Sequence, residues 1–213
     1  MAIRVENGDR PENELRYRVK GLRPIDPDDQ HQLKVVRGML RDPKNARHLL
    51  GVPDDLDELA KYYRDAVTGY VAINELDETV ATGSLQPPGK LSAVTRTYNA
   101  NFERFCVRPE YQRHRQVGKQ TALFLFNKGF NPQEEGGFAY PVIDLGLIVG
   151  PKDWEHAYRL FYEFGVRFGT PFHTWAMGSG GEMQQHMVIP GQINREEYFH
   201  RRPSLVESLR QPA

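Results

Sequence analysis

The chain has 213 residues, 39% of them hydrophobic, enough to bury one core. Lysine plus arginine and aspartate plus glutamate each number 28, so no global field draws it to nucleic acid or membrane, and any polyanion recognition must be local. The one cysteine, Cys106, excludes an internal disulfide and any cysteine-built zinc or redox motif. No apolar run approaches the ~20 residues that span a bilayer, and MAIRVENGDRPENE lacks the apolar core of a signal peptide, so a soluble, cytoplasmic protein is expected.

Residues 1–14 are polar, carry Gly and Pro, and read as a flexible segment. In LRYRVKGL, residues 15–22, Leu15, Tyr17 and Val19 alternate with Arg16, Arg18 and Lys20, the period of a half-buried strand. RPIDPDDQHQLKVVRGML then predicts a helix, with Asp26 as N-cap and Pro27 at its first position, and DPKN ends it. A second helix is expected over about 54–66, where Leu56, Leu59, Tyr62 and Tyr63 follow helical spacing. TGYVAINE and TVATGSLQ flank the turn residues LDE and predict a hairpin.

After PPGKLSAVT, YNANFERFCV reads as a strand, and the helix from Val117 to about Lys128 turns Val117, Ala122, Leu125 and Phe126 toward a core. VIDLGLIV suits a buried central strand. Asp153 is the expected cap of WEHAYRLFYEFG, a helix stopped by Gly165. FHTWAM and EMQQHMVI form a second hairpin across GSGG, and residues 191–213 read as a C-terminal appendage. Helices interleaved with strands predict one α/β domain over 15–190, with a mixed, mostly antiparallel sheet of about seven strands flanked by helices.

Between the strand ending at Val107 and the following helix stand Arg113, His114, Arg115 and, one turn on, Lys119. A strand, a basic turn and a helix N-terminus make a phosphate cradle, because the helix start presents unpaired N–H groups and a partial charge of about +0.5. Backbone amides of Arg113, His114, Arg115, Gln116, Val117 and Gly118 can wrap an anion. Arg113, Arg115 and Lys119 add charge, and Gly118 lets the backbone approach closely. The competing reading is charge that serves only the solubility of an exposed helix start.

Three blocks, in this order, resemble the GNAT superfamily of acyl-coenzyme A N-acyltransferases. GYVAINELDETVATGSL is similar to the early hairpin of that family, ERFCVRPEYQRHRQVGKQTAL to its acyl-CoA block, and AYRLFYEFGV to its late helix. The resemblance covers about Gly69 to Ile189. It implies acetyl-CoA as donor, a small-molecule or peptide amine as acceptor, and no metal; a homodimer is allowed, and nucleic acid enters only if the donor is a charged tRNA. It also implies that the pantetheine arm pairs with backbone groups of Phe105, Cys106 and Val107 like an added strand. Two positions depart from the pattern. Gln116 stands where the family has glycine, and Phe161 falls where the family has the tyrosine that protonates the departing thiolate, with Tyr162 one place later.

Attack on a thioester needs a neutral amine, hence a base. Glu103 is the candidate: strand alternation puts it on one face with Phe105 and Val107, where a carboxylate is rare without a purpose, and puts Cys106 on the other. Its competing reading is a salt bridge to a nearby Lys or Arg. Tyr162 is the candidate acid. His173 and His186, on the two arms of the last hairpin, could meet across it, and with Trp175 and Glu182 they are the candidate acceptor-site residues. A related transferase with another donor, or a non-catalytic module of the same fold, fits the same residues.

Overall fold

The computed structural model describes residues 12–65, 67–92, 95–112, 114–150, 154–177 and 182–210. Arg113, Asp153 and the GSGG turn lie outside the described residues, as do residues 1–11 and the side chain of Arg115.

A short helix α1 (Glu12–Arg16) precedes β1 (Val19–Pro24). The strand expected over 15–22 therefore starts late: Leu15 and Arg16 close a helical turn, tied down by the Asn74 amide donating to Arg16 O at 2.9 Å. Helix α2 (Gln30–Arg41) buries Leu33, Val36 and Leu40 completely. Its cap is Asp29, which accepts from the amides of His31 and Gln32, whereas Asp26 accepts from the amide of Asp28 two residues on. Among the acids of IDPDD, the one next to the first helical amides takes the cap. DPKN does not simply stop the chain: Asp42 caps a one-turn helix α3 (Pro43–Ala46) with proline at its start. Helix α4 (Leu56–Asp65) follows.

Strands β2 (Thr68–Asn74) and β3 (Thr79–Gln86) form the first hairpin and are buried along nearly their whole length. Both of their faces are covered, one by α2 and α4 and the other by α5 (Arg115–Phe130). Gly83 permits that second contact, since a Cβ there would lie 2.6 Å from Leu125 Cδ1. β4 (Ala100–Val107) pairs antiparallel with β3 and parallel with β5 (Val142–Val149). Helix α6 (Trp154–Glu163) follows, ended by Gly165 at φ 96°. Short β6 (Arg167–Phe168), β7 (Phe172–Met177) and long β8 (Met183–Asn194) finish the sheet, whose order is β1-β2-β3-β4-β5-β8-β6 with β7 also on β8.

The segment read as an appendage divides in two. Residues through Asn194 complete β8, and α7 (Arg195–Ser208), capped by Asn194, packs Tyr198 and Leu205 into the main core. The Tyr198 ring stacks on Phe130 of α5, and its hydroxyl donates to Asn127 Oδ1 at 2.8 Å. Three layers result: α2 and α4 on one face of the sheet, and α5, α6 and α7 on the other. Among the described residues no helix is long and apolar enough to cross a membrane.

One feature of the sheet positions the site. β4 and β5 share only the pairs Ala100↔Ile143 and Asn101↔Asp144, at their N-terminal ends. Beyond those the two parallel strands part, leaving a crevice toward their C-terminal ends, the usual place for a ligand in such a sheet.

Candidate active site

The β3–β4 register runs Ala81↔Val107 and Thr82↔Cys106, then jumps to Ser84↔Glu103, so Gly83 faces both Arg104 and Phe105. This is a β-bulge, and Arg104 sits in it at φ 50°, a left-handed conformation that costs a non-glycine residue ~1–2 kcal/mol. The extra residue resets the alternation. Phe102 and Phe105 now lie together on the α5–α6 side, 5.5 Å apart between centroids, and both meet Phe161. Glu103 turns to the α2–α4 side, where Cys106 is also buried. The expected faces are thus corrected: Glu103 does not share a side with Phe105 and Val107, and Cys106 does not point away from it. Simple alternation presumes an unbroken pleat, and nothing within ERFCV announces the bulge.

Glu103 Oε2 accepts a hydrogen bond of 2.7 Å from the Tyr62 hydroxyl of α4. Among the described residues Glu103 makes no ion pair, so the salt-bridge reading has no partner here. The Arg104 guanidinium lies over the Tyr62 ring, 3.4 Å from its centroid, and donates to Gly51 O at 2.8 Å. Burial, and then the charge of Glu103, push the Tyr62 phenol well above its ordinary range, with Arg104 pulling the other way. The phenol is therefore a neutral donor. The sequence marks Tyr62 only as a residue at helical core spacing; its bond to Glu103 crosses 41 residues and has no local signal.

Arg108 N donates to Val80 O at 2.9 Å, so Cys106, two residues earlier, also spends its backbone on β3. Val107, one residue on, directs its carbonyl to the open edge beside the crevice. There Val107 O accepts from Asn45 Nδ2 at 3.2 Å and Gln112 Nε2 at 3.0 Å. Of the backbone positions expected to bind a donor, Cys106 is thus engaged in the ladder, and the Val107 carbonyl is held by two side-chain amides.

Helix α5 begins past the end of β4, with His114 in the cap position at φ −102° and no side-chain cap bond. The His114 ring stacks on Tyr17 instead, centroids 3.4 Å apart. Gln116 lies inside this helix with ordinary helical backbone, so the place it occupies does not demand glycine. Val117 is fully buried beside Tyr111 and can offer a ligand only its backbone. Gly118 packs close to β4, 3.6 Å separating a Cβ built on it from Val107 Cγ2. Lys119 Nζ bonds Glu163 Oε2 at 2.7 Å and joins α5 to α6.

Phe161 is 3% exposed and faces β4, whereas Tyr162 is 59% exposed and lies against Tyr158. Helix α6 is regular through Glu163, so no slip carries Tyr162 inward. It lines instead a cleft of about 560 Å³ with Lys119, Glu163, His200, Arg201 and Ser204. At the closed end of the crevice Asp144, 1% exposed, accepts from the Thr97 hydroxyl, from Asn99 Nδ2 at 3.0 Å and from Gln192 Nε2 at 3.0 Å.

The last hairpin separates its candidates. Thr174 pairs with His186 and His173 with Met187, so the two histidines fall on opposite faces and do not meet. His173 and Trp175 share a face, and Trp175 is 65% exposed. Glu182 is exposed just before β8, and His186 keeps a buried Nε2 without a hydrogen bond. No group of three or more His, Cys, Asp or Glu among the described residues could hold a metal ion.

No protein-family model and no curated protein sequence matches this chain. Solved structures do. A spermidine N-acetyltransferase from Vibrio cholerae, in complex with CoA and spermine, aligns at TM-score 0.60 and 15% identity, over 84% of this chain and 96% of that one. The dodecameric structure of spermidine N-acetyltransferase from Vibrio cholerae in an intermediate state aligns at TM-score 0.58 and 16% identity, over 84% of this chain and 96% of that one. The chain has the fold of the GNAT acetyltransferases, with the mixed, mostly antiparallel sheet of that class. Within that fold it carries a phenylalanine at the late-helix position and a tyrosine-held glutamate at the strand bulge.

Proposed function

We propose that this protein is an acyl-CoA-dependent N-acyltransferase that passes an acyl group, acetyl in the reading the resemblance supports, to a primary amine. The observation that carries it is Glu103, held on β4 by Tyr62 where that strand parts from β5, with helix α5 starting past the end of the same strand. Glu103 takes the proton of the amine directly or through water, and the amide of Val107 polarises the thioester carbonyl. The donor's phosphates rest on the first turn of α5, from Arg115 through Gln116 to Gly118, with Lys119 beside it, and Arg113, two residues earlier in the sequence, adds charge. Phe161 offers no proton, so the thiolate takes one from solvent. His173 and Trp175 belong to the acceptor side. The spermidine acetyltransferases of the same fold make polyamines the first acceptors to try. The buried thiol suits a reducing, cytoplasmic setting.

Phe161 also favours a second reading, a module that binds acyl-CoA without transferring from it. Titration calorimetry with acetyl-CoA, followed by an amine panel that includes spermine, separates the two. Binding with turnover supports the transferase, binding without turnover on any amine supports the module, and no binding removes both. In an active enzyme Glu103→Gln should lower turnover by ~10²–10⁴ with donor affinity little changed. Near-normal turnover at neutral pH would show that Glu103 is not the base.

A further inference from the structure

The bulge on β4 does more than turn Glu103 toward α4. Neighbouring residues of a regular strand point to opposite faces. Here Glu103 and Arg104 both reach Tyr62: the glutamate takes the hydroxyl at 2.7 Å, and the guanidinium covers the ring at 3.4 Å. The left-handed residue, Arg104 at φ 50°, makes that convergence possible. We infer that Tyr62 and Arg104 are positioning residues that fix the Glu103 carboxylate for proton abstraction, an inference that rests on the assignment of Glu103 as base.

The parts of the clasp have separate tasks. Tyr62 occupies Oε2 alone, so Oε1 keeps its lone pairs for an incoming amine. The hydroxyl remains a donor because the buried phenol stays protonated across the working range of pH, and a phenolate beside the carboxylate would repel it. Arg104 clamps the ring from its open side and is itself anchored on Gly51 O at 2.8 Å, so a loop before α4, α4 itself and β4 are joined at one point. The charged and titratable groups at this point are Arg104 of β4 and Tyr62 and Tyr63 of α4, with Cys106 buried on the same side.

A double-mutant cycle on the full chain tests this, with acetyl-CoA and whichever amine proves active. Tyr62→Phe keeps the ring and its packing and should lower kcat by ~10–100-fold, the loss a misplaced catalytic group produces, with acetyl-CoA affinity unchanged. In a Glu103→Gln background the same change should cost almost nothing, because Tyr62 acts through Glu103. Arg104→Gln should likewise lower kcat in the wild type and not in the Tyr62→Phe background. An activity-independent readout accompanies the cycle: in Glu103→Gln the Tyr62 phenol should ionise at lower pH by ultraviolet titration, identified by its disappearance in Tyr62→Phe. Equal losses from Tyr62→Phe in both backgrounds, or an unmoved phenol, would overturn this inference while leaving Glu103 as base. A near-normal rate for Glu103→Gln would overturn both.

Discussion

Phe161 of α6 meets Phe105 of β4 edge to face, with centroids 5.8 Å apart and planes at 69°. The ring also touches Phe102 and Phe126, so this side of the crevice is hydrocarbon. Phe161→Ala should cost about 3–5 kcal/mol of stability, the usual loss for a buried aromatic, read from denaturant melts. Tyr162→Phe, one residue on and 59% exposed, should leave both stability and turnover within about twofold of wild type. A large loss of turnover in Tyr162→Phe would restore the hydroxyl to the mechanism.

Arg104 pays for its place in the bulge with a left-handed backbone at φ 50°. Two replacements divide that strain from the contacts of the side chain. Both Arg104→Ala and Arg104→Gly lose the stacking on Tyr62 and the bond to Gly51. Only the glycine relieves the backbone, so it should be more stable than the alanine variant by ~1 kcal/mol in thermal or denaturant unfolding. Equal stabilities would mean that the strand relaxes to regular geometry without arginine.

Lys119 is held by Glu163 at 2.7 Å, and the lysine side chain is 17% exposed. If it serves the donor's phosphates, a bound anion must compete with that carboxylate. Glu163→Gln should then tighten acetyl-CoA binding by up to ~5-fold, the scale of a partly exposed ion pair, and steepen its salt dependence. Lys119→Gln should weaken binding and flatten that dependence. Calorimetry at two salt concentrations reads both, and an unchanged affinity in Lys119→Gln would leave the pair a purely structural strut between α5 and α6.

Cys106 is buried against the α2–α4 core, and burial, with a smaller contribution from the charge of Asp42, pushes its thiol well above the ordinary range. The folded protein should therefore resist alkylation by iodoacetamide near neutral pH and react readily once denatured. Rapid reaction of the native thiol would show that Cys106 is accessible in the folded state.

The order of elements from the first hairpin to α6 was legible in the chain because each signal is local, whereas the two-residue strand β6 carried no signal of its own. VIDLGLIV and FHTWAM are strands over the residues expected, and Gly165 ends α6 as its position suggested. Where two local signals competed, as among the acids before α2 or in the alternation of 15–22, the boundary moved by a few residues. The C-terminal segment misled for a different reason. Its buried residues, Tyr198 and Leu205, are spaced seven apart among charges, and only the groove beside α5 and α6 shows that they have a core to enter.

The amino-acid sequence by itself determined the fold class, the basic helix start after β4 and the presence of a carboxylate on that strand, since periodicity, capping and charge act over a few residues. Tertiary structure decided which way that carboxylate points. One inserted residue in β4 reverses every face after it, and whether a strand bulges depends on its pairing with β3, where Gly83 stands opposite Arg104 and Phe105. The hydrogen bond from Tyr62, the clamp by Arg104 and the unbroken helix that leaves Phe161 inside and Tyr162 outside are likewise contacts between elements distant in the chain. Their energy comes from packing and pairing across the sheet, which no window of sequence contains.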